Sequence, residues 1–425
     1  MAATGLFLFF LFTGIAFYLR PGAARILPRS GAEAPHTLPL SRGGVLALFF
    51  IKLTFALAYG YILGHFAPGQ GDSWGYFVTS RELAAAIHSP SDFFFWCFPS
   101  VSHPSELLHY AFWNSLKGNC FEIGLTAMNL VTAHNYYTDT LLLCMLTFGG
   151  WLQFLRLLYA LFPGHARWTY VLPFLFPSFL FFYSGLHPDS ILFALLGFIS
   201  FDLYLIIAGK RIMPLVWIRL IACCCLLASF KIFLLLLLLP VLAGWWLARR
   251  TPGAAPLTTK RLILAAWAVI LGGTLLIFAA TLPEIASRQQ LYFSAHAVNA
   301  LVSKPLAPTL SSFAVHLPGA LWNGFGPLAS WASVPLLYRL AGCEVLVLWA
   351  LVIYGWIKRT RWRWSFYEAG WIYFAAVNWL LIGYTITAWG AIIRYRDLFL
   401  PFLGAFLFFP LIRGLFPARK GITKK

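Results

Sequence analysis

Three short polar stretches carry nearly all the chemistry an otherwise apolar chain could perform. Gly71-Asp72-Ser73-Trp74-Gly75-Tyr76-Phe77 sets one carboxylate between two glycines, with Trp74 and Tyr76 beside it. Glycines let a ligand approach the backbone closely, and the aromatic rings offer stacking faces to a sugar or lipid. Ser184-Gly185-Leu186-His187-Pro188-Asp189-Ser190 concentrates an imidazole, a carboxylate and two hydroxyls. Arg394-Tyr395-Arg396-Asp397 places two guanidinium forks, matched in shape to phosphate, just before an apolar run. A proton acceptor, a titratable ring and an anion holder are therefore all encoded. Each stretch also has a plainer explanation. A polar loop accounts for Asp72, a helix N-cap following Pro188 accounts for Asp189 and Ser190, and an interfacial anchor neutralised by Asp397 accounts for the arginines. Capping leaves His187 unexplained.

The elements that must position these groups are membrane helices. Of 425 residues 60% are hydrophobic and 10% charged, and the mean hydropathy is +0.78. Such a composition excludes a soluble enzyme and predicts an all-α, polytopic transmembrane protein forming a single membrane domain over residues 1–425. The formal charge of +18 resembles a nucleic-acid signal. The Lys and Arg residues fall mostly in short links between apolar runs, however, where they set orientation and meet anionic lipid, so nucleic acid is not an expected partner.

About eleven spans are expected, with the N-terminus outside and the C-terminus in the cytoplasm. They lie near 5–19, 44–64, 138–161, 168–184, 190–208, 212–229, 232–247, 262–281, 334–357, 370–388 and 398–412. The first lacks a basic leader and is followed by Arg20, Arg25 and Arg29, so it reads as a retained helix and not a cleaved signal. Lys210-Arg211, Arg249-Arg250 and Lys358 then fall on the cytoplasmic side. Residues 66–137 form a first external loop whose short pieces, Ser80 to Ile87 and Phe93 to Phe98, are expected to lie in the interface as amphipathic helices. Residues 282–328 form a second. On this topology Asp72 and the His187–Asp189 turn share one face and should meet in one cavity.

Weaker candidates are Glu82, which would equally serve to solvate an amphipathic helix, and Lys231, a charge inside an apolar run that requires a partner or a function. Cys223, Cys224 and Cys225 read as buried small hydrophobes. No metal-ligand spacing occurs. Cys97 and Cys120 share the first external loop, where an oxidising compartment would permit a disulfide. No internal repeat or pair of matching interrupted helices points to a transporter.

The order of these features resembles the GT-C superfamily of integral membrane glycosyltransferases, in a bacterial branch. The likeness rests on GDSWGYF in the first external loop, SGLHPDSILF in the next, and RYRDLFLPF near the C-terminus. It departs in lacking an acid beside Asp72, so no Asp-x-Asp metal site is evident, and in carrying an extra N-terminal helix. The resemblance implies transfer, with inversion, of a sugar from a polyprenyl-phosphate carrier to a lipid, glycan or protein acceptor at the periplasmic face of the inner membrane. Asp72 would be the base. His187 and Asp189 would orient donor or acceptor, Arg394 and Arg396 with Tyr395 would hold the phosphate, and Trp74, Tyr76, Glu82 and Lys231 would contact substrate. No cofactor is implied beyond a divalent cation at the leaving phosphate. The rival classes are a glycan polymerase or ligase, and a transporter or flippase for a lipid-linked substrate. The last would set its key charges near the bilayer midplane.

Overall fold

The computed structural model describes residues 2–19, 40–66, 72–89, 91–93, 110–162, 170–209, 213–249, 256–280, 282–296, 305–326, 336–357 and 366–415. Regular structure among them is helical: α1 (Ala2–Leu19), α2 (Arg42–Phe66), α3 (Asp72–Ala86), α4 (Tyr110–Thr132), α5 (Tyr136–Leu161), α6 (Pro177–Ser184), α7 (Pro188–Ile207), α8 (Pro214–Arg249), α9 (Pro256–Ala280), α10 (Leu282–His296), α11 (Leu310–Phe325), α12 (Leu336–Ile357), α13 (Phe366–Thr385), α14 (Trp389–Asp397) and α15 (Leu400–Leu415). An apolar solvent admits this solution because a helix satisfies its own backbone. Five stretches among the described residues are long and apolar enough to cross a bilayer: Arg42–Phe66, Tyr136–Leu161, Pro188–Ile207, Pro214–Ala248 and Arg261–Ala280. The protein is therefore an all-helical membrane protein. On α9, Leu264, Leu271, Leu275 and Leu276 all face outward, a surface suited to lipid tails and not to water.

One expected span takes a different form, and the link between two others is shorter than expected. The run 168–184 yields a single 3-10 turn, Leu172–Phe174, and then the eight-residue α6, about 12 Å long and too short to cross. Pro173 and Pro177 divide it, each lacking an amide donor and pushing its predecessor out of helical backbone. The runs 212–229 and 232–247 are two helical stretches within α8 that meet at a kink, where Lys231 leaves helical backbone (φ −151°, ψ 82°). Neither Gly nor Pro stands between Ser229 and Ile232 to make a turn. In the first external loop, Ser80 begins no helix; it lies inside α3, which starts at Asp72. Most of Phe93 to Phe98 lies outside the described residues. The second external loop contains α10 and α11.

The chain divides into two compact units, one made of Met1–Leu161 and Leu180–Ile232, the other of Phe162–Phe179 and Phe233–Lys425. In the first, α5 and α7 cross with their backbones touching. A Cβ on Gly150 would run into the backbone of Ala194, and one on Gly197 into the Gly150 carbonyl, the small-residue contact that brings helices together in lipid. Helix α7 and the stretch of α8 before its kink run antiparallel, pinned by two ion pairs: Arg219 to Asp202 (Nε–Oδ2 2.9 Å) and Lys231 to Asp189 (3.1 Å). Helix α3 buries Ser73, Phe77, Ser80 and Ala84, a stripe at helical spacing, and Asn129 of α4 donates to Ser80 Oγ (2.9 Å).

In the second unit, Trp245, Tyr367 and Trp371 form an aromatic cluster extended by Phe402 (Trp371–Phe402 centroids 5.0 Å). The hydroxyl of Tyr384 on α13 donates to the Phe313 carbonyl of α11 (2.8 Å).

Candidate active site

Asp72 occupies the first turn of α3, where the positive end of the helix dipole favours a carboxylate. Three contacts fix this end. Trp74 Nε1 donates to the Gly60 carbonyl (3.0 Å), its ring stacks on Tyr136 (4.0 Å, 9°), and Ser73 Oγ lies 2.6 Å from the Tyr136 hydroxyl. Ser73 is thereby buried while the Asp72 side chain stays 51% exposed.

The joint from Gly185 to His187 connects α6 to α7. His187, not Asp189, is the N-cap of α7: its backbone is extended (φ −149°, ψ 147°), Pro188 opens the helix, and the Asp189 N–H reaches His187 Nδ1 (3.2 Å). Proline suits that position because its missing donor is one the helix could not use. Capping by the ring leaves the Asp189 carboxylate for other partners. Its Oδ1 accepts from Lys231 Nζ (3.1 Å), and its Oδ2 lies 3.1 Å from His187 Nδ1. On the opposite edge of the ring, Nε2 is 3.7 Å from Asp72 Oδ2.

Lys231, Asp189, His187 and Asp72 thus form a line from a buried ammonium to a half-exposed carboxylate. The two contacts at Nδ1 belong to different proton placements. With its proton on Nε2, the ring accepts from the Asp189 amide and points an N–H at Asp72. With its proton on Nδ1, it donates to the Asp189 carboxylate and offers a lone pair toward Asp72. A ring protonated at both nitrogens bridges the two acids. The arrangement can therefore take up a proton at Asp72 and spread the resulting charge inward.

Among the other residues singled out from the sequence, Tyr76 borders the line, its ring 6.1 Å from that of His187. Trp74 is occupied by its packing on Tyr136 and Gly60. Glu82 is exposed and ten residues along α3, about 15 Å from Asp72 at helical rise, so it is not brought to the group. Cys97 lies outside the described residues, and Cys120 is free. Among the described residues no group of three His, Cys, Asp or Glu side chains is placed to hold a metal.

Arg394, Tyr395 and Arg396 lie on α14 in the second unit. The pair expected at the surface splits. Arg396 is buried: Nη1 donates to the Gly326 carbonyl (3.0 Å) and the guanidinium lies 5.8 Å over Trp379. Arg394 is half-buried over the Tyr395 ring (5.2 Å). Asp397 is also sealed. Burial, and then the nearby Glu344 carboxylate, hold its acid well above the usual carboxylate range. Glu344 on α12 accepts from the Ser178 backbone (2.8 Å) and hydroxyl.

Lys52 is a buried polar group that the motifs do not single out. It lies within α2, wholly buried, with Nζ 3.0 Å from the Tyr183 carbonyl and 4.6 Å over the Trp151 ring. Its signal in the sequence is the one that marks Lys231, a lysine inside an apolar run. In the C-terminal half of α2, Leu57, Ala58 and Tyr61 join Phe7 and Tyr137 in lining an apolar cleft of about 500 Å³.

No protein-family model, no curated protein and no solved structure matches the chain.

Proposed function

We propose that the protein is an inverting membrane glycosyltransferase of the GT-C type, acting at the periplasmic face of a bacterial inner membrane. The observation that carries this reading is the Asp72–His187–Asp189–Lys231 line, in which one acid reaches solvent while the groups behind it are buried. The acceptor hydroxyl oxygen attacks the anomeric carbon of a sugar held on polyprenyl phosphate. The bond from that carbon to the phosphate oxygen breaks, its electron pair leaves with the lipid phosphate, and the hydroxyl proton goes to Asp72. His187 then shares that proton, and Asp189 with Lys231 keeps the ring oriented. Arg394, half-buried where Arg396 is sealed, is the arginine of its pair that remains available to an anionic group such as a phosphate. Acceptors are a lipid, a glycan, a protein or, in their absence, water.

Purified protein in liposomes, given short-chain polyprenyl-phosphate hexoses, tests the reading through release of polyprenyl phosphate. Asp72→Asn should lower that release by about 10²–10⁴-fold. Wild-type protein inert toward every donor, or Asp72→Asn with near-normal turnover, would overturn it.

A further inference from the structure

One buried charge that the proposed chemistry leaves unused is Lys52. An ammonium inside a membrane helix is expensive unless it is paired or has a task. Among the described residues Lys52 makes no ion pair with a carboxylate; its contacts are a carbonyl and the face of Trp151. The carbonyl identifies the task. Tyr183 is the penultimate residue of α6, and the last carbonyls of any helix have no partner within it. The next carbonyl, of Ser184, accepts from Cys144 Sγ of α5 (3.3 Å). Beyond these two residues come Gly185, Leu186 and His187. Gly185 lies against the Tyr59 ring of α2 with no room for a Cβ, and Leu186 and His187 are buried.

We propose that Lys52 and Cys144 act as a clamp: they are positioning residues that fix the α6–α7 joint so that the His187 ring faces Asp72. Lys52 also meets the negative end of α6, where a cation is favoured. Two buried lysines among the described residues of this unit therefore take opposite ends of one joint, Lys52 a carbonyl before it and Lys231 the carboxylate after it. Without the clamp the joint can shift relative to α2, and the 3.7 Å approach of Nε2 to Asp72 is the geometry that loses definition. The consequence for turnover rests on the function proposed above. The consequence for the ring does not.

The test is solid-state NMR of full-length protein carrying isotope-labelled histidine in lipid bilayers, with His187 assigned by difference against His187→Gln. Lys52→Met removes the donor and the charge while keeping the stem. The expected result is displaced or broadened His187 ring-nitrogen signals, with those of the other histidines unchanged. Donor turnover should fall by about 10- to 100-fold in kcat, with KM changed by no more than about twofold. A folded Lys52→Met protein whose His187 signals coincide with wild type overturns the proposal. If Lys52→Met does not fold, Cys144→Ala takes its place, since it opens the other jaw without touching the buried charge. The same displacement at His187 is expected there, and an unchanged spectrum overturns the clamp. The spectrum requires no substrate, so an inert wild-type enzyme would sink the glycosyltransferase reading and leave the clamp to be decided by the ring.

Discussion

Two polar clusters, one in each unit, are built from nearly the same inventory and behave differently. In the first, Asp72 and Asp189 flank His187 with Lys231 behind; in the second, Glu344 and Asp397 gather near Ser178 with Arg396. Each has two acids and one basic side chain, Lys231 or Arg396. The first opens outward through a carboxylate 51% exposed, whereas Glu344, Arg396 and Asp397 are 7%, 1% and 2% exposed. The first also contains a ring able to move a proton between its two acids, and the second contains none. Buried charge is common to both, so buried charge does not mark a catalytic site. A graded path from dry to wet, with an imidazole between its two acids, distinguishes the first.

Experiments can break this contrast. The largest effect is expected at Asp72, where Asn should nearly abolish transfer and leave stability within about 0.5 kcal/mol, since the side chain is half in solvent. An equal activity loss in Asp397→Asn would erase the distinction between the clusters. Next comes Asp189→Asn, which leaves the Lys231 ammonium buried without its carboxylate and should cost about 3–5 kcal/mol of stability. Adding Lys231→Met should restore the melting temperature while activity stays low. Recovery of both would reduce Asp189 to a structural counter-ion.

Smaller effects should separate the arginines. Arg394→Lys should lose much of the donor affinity, because a point charge replaces a bidentate fork, and Arg394→Ala nearly all of it. Arg396→Lys should instead register mainly as lower thermal stability, through its carbonyl contact with Gly326. Donor titrations with both variants decide which arginine meets phosphate.

The smallest effect concerns pH. Asp397 has a raised proton affinity in the folded state, so its contribution to stability is complete below the ordinary carboxylate range and fades as pH rises through the folded value. Melting temperature should therefore drop, as pH rises above the ordinary carboxylate range, by more in wild type than in Asp397→Asn. Parallel curves would show that the second cluster holds no extra proton.

Much of the first cluster is legible in the amino-acid sequence. Asp72, His187 and Asp189 stand out because polar residues are scarce in this chain, and Lys231 because a charge in an apolar run demands an explanation. The helical class follows from composition alone. Other features have no such signal. Arg394 and Arg396 look alike in sequence, and only the turn of α14 sends one inward against Trp379 and Gly326 and leaves the other half-covered. The link between the two stretches of α8 narrows to a kink at Lys231, which leaves helical backbone and meets Asp189, a contact 42 residues away in sequence. The cap of α7 falls to the imidazole because tertiary partners claim the carboxylate, which local propensity cannot foresee.

The crossing of α5 and α7 has a mechanical meaning. Gly197 lies ten residues along the chain from His187, an arm of about 15 Å at helical rise. A side chain's worth of slack at that fulcrum, about 1 Å, would swing the far end of the arm by a similar amount, enough to lose most of the rate in a positioned reaction. With Gly150 and Gly197 in backbone contact the bearing has no play. Two residues with no functional group of their own therefore set the tolerance to which an imidazole is aimed at a carboxylate.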